Sequence, residues 1–458
     1  MLDRLGRLAQ TIERDTPEDR DRYLDFLRLG AIVVVVLGHW LARVIVERPD
    51  GFATGHLLEV VPATQWLTWV VQVMPLFFIV GGLLNLRSWR RARDGGTSGV
   101  EWVRNRARRL LRPLLPLLIL WVAVSNVLDT LGWSAALPFD AGTAITPVWF
   151  LAAYLVVTAL TPVLAERSGV RVLAALVMGA VVVDVLRFGE PEFLAAMPTV
   201  DGQPVIAVVN FVLVWVAVHQ LGFWWNDDRL PSSPGTWLAL AVASTTVIVL
   251  LVTLGAYPAS VVQVPGDAPA NDAPPTVALF LLGIVQLAIA VALRARATRW
   301  LRRPMVWATV ALLGSRLMTV FLWHQTAMLL VATFVVWTDL WPAASAVDGR
   351  WLAQRPAWVA ACAVVLVPLV LAVGRFERSA PPPASVLPTK LAAAVTAAAV
   401  VAVSVSLGWL IVDGLTDPAG PLRLPMGPLV GVVAGMATLG VIGRGRVTSW
   451  LRRVVGQG

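Results

Sequence analysis

The sequence predicts an all-α protein, a polytopic bundle of transmembrane helices with about 12 spans and both termini cytoplasmic. Three observations predict it. Of 458 residues, 57% are hydrophobic and 14% charged, where a soluble chain carries about 25% charge. The apolar residues come in blocks of roughly 20 with short polar or Pro-rich connections between them, the length that crosses a hydrocarbon core about 30 Å thick. Those connections alternate between basic ones and neutral or acidic ones, which is the orientation signal of membrane helices.

In chain order the spans are expected at about 26 to 46, 64 to 86, 110 to 130, 147 to 165, 170 to 187, 205 to 225, 236 to 257, 276 to 293, 309 to 338, 356 to 374, 389 to 412 and 427 to 443. Basic connections follow every second span: the tract from Arg87 to Arg112, the turn with Arg167 and Arg171, the loop with Arg229, Arg294 to Arg303, Arg375 to Lys390, and the C-terminus. Stretches 131 to 146 and 258 to 275, on the opposite side, contain neither Lys nor Arg. The segment 305 to 338 is long for one span, and fits a short interfacial helix followed by a tilted one. Pro274, Pro275 and the PPP at 381 to 383 mark places where a helix cannot easily continue. No connection exceeds about 30 residues, so no soluble domain is expected. The chain divides into a cytoplasmic segment (1–25), a transmembrane core (26–375) and a C-terminal linker with additional spans (376–458).

The net charge of +9 and pI near 11.0 could suggest nucleic acid, but the basic residues sit in short loops beside the spans, so membrane lipids are the expected surroundings and no nucleic acid the expected partner. Basic residues are almost all Arg, with Lys390 the only lysine, a bias read as that of a high-GC genome. Cys362 stands alone in an apolar run, which leaves no disulfide framework and no thiolate metal site. The first 25 residues lack the apolar core of a signal peptide, so no processing is expected.

The stretch LDFLRLGAIVVVVLGHW at 24 to 40 raises the functional question, because ionisable groups within a span are expensive. Arg28 and His39 are 11 residues apart, which brings them within about 20° of one helical face and about 16 Å apart along the axis. That places Arg28 at the cytoplasmic edge and His39 near mid-membrane. Asp25, three residues before Arg28, can pair with it. A neutral His39 can accept a proton from a hydroxyl nucleophile and return it; the alternative is an imidazole that only joins neighbouring helices. Of the other histidines, His56 falls in an outer loop, His219 near the inner end of the sixth span and His324 within the ninth. Arg316, about seven residues inside the ninth segment, is expected to face an interior cavity, with His324 about 80° further around the same helix. Both are read as pocket-lining. Asp184 and Arg187 are expected to pair near the outer interface in a structural role.

Five segments in order carry a resemblance. LDFLRLGAIVVVVLGHW resembles the opening motif of the membrane acyltransferase 3 family, an Arg or Lys followed by ten residues and a His. MPLFFIVGGLL at 74 to 84 is similar to that family's second span, RRLLRPLLP at 108 to 116 to its Arg-rich approach to the third, and VWFLAAYLVVTALTPVL at 148 to 164 and MTVFLWHQTAM at 318 to 328 to two further segments. The resemblance spans residues 24 to about 330 and implies acyl-CoA-dependent O-acylation at the membrane. It implies His39 as catalytic base with Arg28 as its partner, and donor or substrate contacts at Asp25, Arg109, Arg112, Trp149, Arg316 and His324. Acyl-CoA, with acetyl-CoA the expected form, would be a co-substrate. No bound cofactor and no metal are expected. The acceptor would be a hydroxyl of a cell-envelope glycan, a lipid-linked sugar or a secreted small molecule, and the location a bacterial inner membrane. The rival readings are a 12-span transporter and an inactive relative of the family.

Overall fold

The computed structural model describes residues 2–49, 51–189, 191, 197–200, 202–264, 270–338, 340–377 and 389–442. The PPP at 381 to 383 and the basic stretch after 443 lie outside them. The helices are α1 (Leu2–Arg14), α2 (Arg22–Ala42), α3 (Leu57–Val60), α4 (Thr68–Val71), α5 (Met74–Asp94), α6 (Gly99–Leu111), α7 (Leu114–Thr130), α8 (Val148–Arg167), α9 (Val170–Gly189), α10 (Asn210–Asn226), α11 (Pro234–Thr253), α12 (Val277–Leu301), α13 (Pro304–Gly314), α14 (Leu317–Thr338), α15 (Gly349–Val373), α16 (Thr389–Val412) and α17 (Met426–Thr438). Among the described residues, strands form two short two-stranded pairings, β1 (Arg43–Arg48) with β2 (Gly51–His56) and β3 (Thr199–Val200) with β4 (Gln203–Pro204).

Among the described residues, 10 helices are long and apolar enough to cross a membrane, or 11 if the bent pair α6 and α7, at 46°, is one span. The all-α, multi-pass architecture is as the sequence predicts. Three elements differ in detail, and a fourth, the ninth, divides into a short and a long helix as its length suggests. The first span ends at Ala42 and not at 46, because RVIVER at 43 to 48 runs on as β1. The third begins with α6, an amphipathic helix closed by a capping box between Ser98 and Glu101, and turns into α7 at Pro113. The ninth is broken at Ser315 and Arg316 into α13, of 11 residues, and α14, of 22. The last, α17, has 13 residues, about 20 Å of helix and short of a full crossing.

The chain forms two compact units. Unit 1 comprises Met1–Ala42, His56–Leu86 and Ala165–Leu317. Its helical break at Gln72 to Val73, just before Pro75, frees backbone groups that lipid cannot solvate. Gln286 of α12 satisfies them: Oε1 accepts the Leu76 N–H at 2.9 Å, and Nε2 donates to the Gln72 carbonyl. Two glycines let α5 and α10 meet backbone to backbone. A Cβ on Gly82 would land on the His219 carbonyl, and one on Gly222 on the Ile79 carbonyl. At the far end of α9, Asp184 (1% exposed) accepts from Asn210 Nδ2 at 2.8 Å, Tyr257 Oη at 2.9 Å and the Val277 N–H at 2.8 Å. Arg187 donates to Gln203 Oε1 and to the carbonyls of Pro274 and Ala270. No ion pair joins the two among the described residues, so the expected pairing is not seen: Asp184 accepts from groups at the starts of α10 and α12 and from Tyr257, and Arg187 donates to Gln203 and to loop carbonyls.

Unit 2 comprises Arg43–Gly55, Arg87–Leu164 and Met318–Gly458. Helices α7, α8 and α14 pack through Trp121, whose indole N–H donates to Thr326 Oγ1 at 2.9 Å, and through an edge contact of Phe150 on Phe321 at 5.1 Å. Glu377 caps the start of α14, accepting the Thr319 N–H at 2.6 Å, a favourable place for a carboxylate at a helix N-terminus. The α16–α17 hairpin is fastened to α7. Asn126 Nδ2 donates to the Leu422 carbonyl at 2.7 Å, and Arg423 Nε pairs with Asp129 Oδ2 at 2.5 Å. Leu422 and Arg423 take φ of 56° and 54°, left-handed values costly for non-glycine residues that persist where surrounding contacts hold them.

A prediction follows from the α5–α10 crossing. Gly82→Ala and Gly222→Ala each place a methyl on a carbonyl, so each is expected to destabilise the purified protein by about 1–3 kcal/mol. Gly30→Ala on α2, where an added Cβ meets nothing within 4 Å, is expected to leave stability unchanged or raised. Thermal unfolding in detergent compares the three.

Candidate functional site

On α2 the helix is uninterrupted from Arg22 to Ala42, so the register that aligns Arg28 and His39 is kept. Asp25 stands between two arginines, with Oδ2 at 2.8 Å from Arg20 Nε and Oδ1 at 4.0 Å from Arg28 Nη1. The Arg28 guanidinium lies over the Phe77 ring at 5.9 Å, a cation–π contact. His39 is half-buried and sits in the last turn of the helix. The helix ends three residues further on, at Ala42.

Arg316 is also placed differently from expectation. It lies in the break between α13 and α14, half-buried, and not inside a continuous helix. Its long side chain leaves from a helix start, where no snorkelling through a full turn of lipid is needed.

In unit 2 the Arg-rich tract folds as α6. Arg109 is exposed and Arg112 half-buried at the C-cap, its N–H on the Arg108 carbonyl at 3.1 Å. Before them on the same helix the structure brings up two residues, Arg104 and Arg108, that attention to the R-x-x-R pattern passes over. Arg104, Arg108 and Arg112 repeat at intervals of four, so they share one face of α6. Arg108 is 7% exposed, and the Nε atoms of Arg104 and Arg108 are buried without hydrogen-bond partners. The signal was in the sequence, RNRARRLLR, as an i, i+4, i+8 repeat. Three guanidinium groups along one face make a strip suited to successive phosphate groups, because each fork can bind an oxyanion bidentately.

Trp149 and His324 are linked by a short aromatic chain. Trp149 stacks edge-on to Phe150 at 6.4 Å, Phe150 meets Phe321 at 5.1 Å, and Phe321 lies 6.1 Å from the His324 ring. His324 is fully buried, with Nδ1 at 2.6 Å from the Phe321 carbonyl. A carbonyl can only accept, so Nδ1 carries the proton and Nε2 presents a lone pair. Thus the segments 148 to 164 and 318 to 328, far apart in sequence, meet in one packed cluster. His56 caps the short α3 through Nδ1, and His219, fully buried, shares Nε2 with Asn85 Nδ2 at 3.3 Å while its Nδ1 has no partner.

No curated relative and no solved structure matches the chain. A family model described as an acyltransferase domain does match, over residues 21–375, which takes in α2 with Arg28 and His39, the arginine face of α6, and the aromatic cluster of α8 and α14. That match covers most of the chain and places it in the acyltransferase 3 family, as a multi-pass membrane acyltransferase.

Proposed function

We propose that the protein moves an acyl group, acetyl in the simplest case, from acyl-CoA to a hydroxyl of a cell-envelope glycan, a lipid-linked sugar or a secreted small molecule, at a bacterial inner membrane. The observation that carries the donor assignment is the arginine face of α6: the buried Nε donors of Arg104 and Arg108, which have no hydrogen-bond partners, with Arg112 one turn on, match the phosphates of CoA. Arg109, exposed at the same end of the helix, adds positive charge to the approach. The loop-charge reading sets this helix on the cytoplasmic side, where acyl-CoA is made.

His39 is the general base. As the acceptor oxygen attacks the thioester carbonyl, a ring nitrogen takes the hydroxyl proton; the C–O bond forms, the C–S bond breaks, and the imidazolium returns the proton to the leaving thiolate. Arg28, held by Asp25, supports the charge that develops along its helix face. The cluster of Trp149, Phe150, Phe321 and His324 supplies an apolar wall with one directed lone pair, apt for seating an acyl chain or orienting a hydroxyl.

Loss of acetyl-CoA thioester, followed with full-length protein in lipid nanodiscs and an extract of envelope glycans and lipids, tests this. His39→Ala is expected to lower kcat by about 10²–10⁴-fold with unfolding temperature unchanged. Wild-type protein that is folded and turns over no thioester, or a His39→Ala variant as active as wild type, would overturn the reading. For the donor site, Arg108→Gln is expected to raise KM for acetyl-CoA about tenfold with kcat little changed, the pattern of lost uniform binding. An unchanged KM removes Arg108 from donor binding.

A further inference from the structure

Apart from these groups, unit 2 buries a cation for which the described residues supply no counter-ion. Arg355 lies in the second turn of α15 and is 7% exposed. Its guanidinium lies over the Trp351 ring at 4.0 Å and the Trp358 ring at 5.3 Å, and Nη1 donates to the Arg43 carbonyl at 3.2 Å. The Arg355 Nε is buried with no hydrogen-bond partner, and so is the indole N–H of Trp351, itself 1% exposed. Both orphans are donors. What would satisfy them is an acceptor, and what would balance the charge is an anion.

The nearby carboxylates do not fill that role. Asp348 Oδ1 accepts the Trp351 backbone N–H at 3.0 Å, and Asp140 Oδ1 accepts that of Gly142 at 2.7 Å. Glu47, on β1, is exposed. Among the described residues neither Arg355 nor Arg43 forms an ion pair. Arg43 is half-buried over the Phe139 ring at 5.1 Å, and burial lowers its pKa from the usual value. A guanidinium inside a span is retained against its desolvation cost where it meets a ligand or a fixed partner; here the aromatic faces and one carbonyl leave its remaining donors open.

We propose that Arg355, with Trp351 and Arg43, binds an oxyanion, a carboxylate or phosphate group carried by the molecule that accepts the acyl group. The assignment to the acceptor rests on the acyltransfer reading above; the binding of an anion does not. Two facts favour the acceptor over the donor. Phe139, under the Arg43 guanidinium, lies in the stretch 131 to 146 that contains neither Lys nor Arg, on the side opposite to the acyl-CoA pool. Arg43 follows His39 by four residues in the chain. The enzyme's substrate would then be an acidic glycan unit or a phosphate-linked sugar and not a neutral one.

Binding of glucuronate, glucose 1-phosphate and glucose to the full-length protein in nanodiscs, measured by calorimetry, is the test. Wild type is expected to bind one of the two anions and not glucose, the anion that binds identifying carboxylate or phosphate as the group recognised. Arg355→Gln is expected to weaken binding about tenfold or more. Trp351→Phe, which removes one N–H and keeps the ring, is expected to weaken it severalfold with unfolding temperature unchanged. No anion binding by wild type, or equal binding by wild type and Trp351→Phe and Arg355→Gln, overturns the proposal. Anion binding without any acyl transfer upholds the anion site and overturns the activity instead. Transfer to neutral acceptors with the same kcat/KM in wild type and Arg355→Gln leaves the acyltransferase standing and removes the acidic acceptor.

Discussion

Hydrocarbon solvates no polar group, and the structure is arranged around that constraint. At three departures from regular helix among the described residues, a side chain from a distant element answers the freed groups. Gln286 closes the break at Gln72; Glu377 caps the start of α14; Asn126 and Asp129 hold the left-handed turn at Leu422 and Arg423. Satisfied breaks of this kind allow polar chemistry to be built into an apolar bundle without opening it to lipid. They also make the unsatisfied groups informative, because in such surroundings a buried donor with no acceptor is costly to keep.

Those unsatisfied donors fall into recognisable sets. On α6 they are arginines in register, a pattern that favours a linear polyanion. On α15 they are one guanidinium and one indole N–H side by side, a pattern that favours a single oxyanion. The imidazole of His39, half-buried at a helix end, is of a different kind, a group able to carry a proton between partners. The proposed chemistry needs all three properties, and all three groups lie within residues 21–375, the stretch that the acyltransferase match covers. The α16–α17 hairpin lies beyond that match, and its fastening to α7 makes it a brace for the helix that follows the arginine face.

The fold class was legible because hydropathy and loop charge act over whole segments. Arg28 and His39 could be paired from spacing alone, since nothing in 22 to 42 interrupts the helix. The end of that helix was not legible: RVIVER holds three consecutive β-branched apolar residues, Val44 to Val46, and hydropathy does not separate a buried strand from the last turns of a span. The break at Arg316 showed only as excess length, for no proline marks it. Gly82 and Gly222 gave no sign of which neighbour they admit, and Arg187 and Arg355 find their acceptors on backbone carbonyls of distant loops, partners that no sequence pattern encodes. Arg108 was legible by its four-residue repeat but overshadowed by the shorter R-x-x-R spacing. Side chains that act through local periodicity could be read; those that answer a distant backbone could not.

The central claim is that this membrane protein makes an ester bond with an acyl group taken from CoA. Proteoliposomes supplied with acetyl-CoA labelled in the acetyl carbon and with envelope extract measure it most directly. The account predicts label in the acceptor fraction, released by mild alkali as an oxygen ester should be. Transport of unlabelled extract components with no label incorporated would contradict it and favour a carrier.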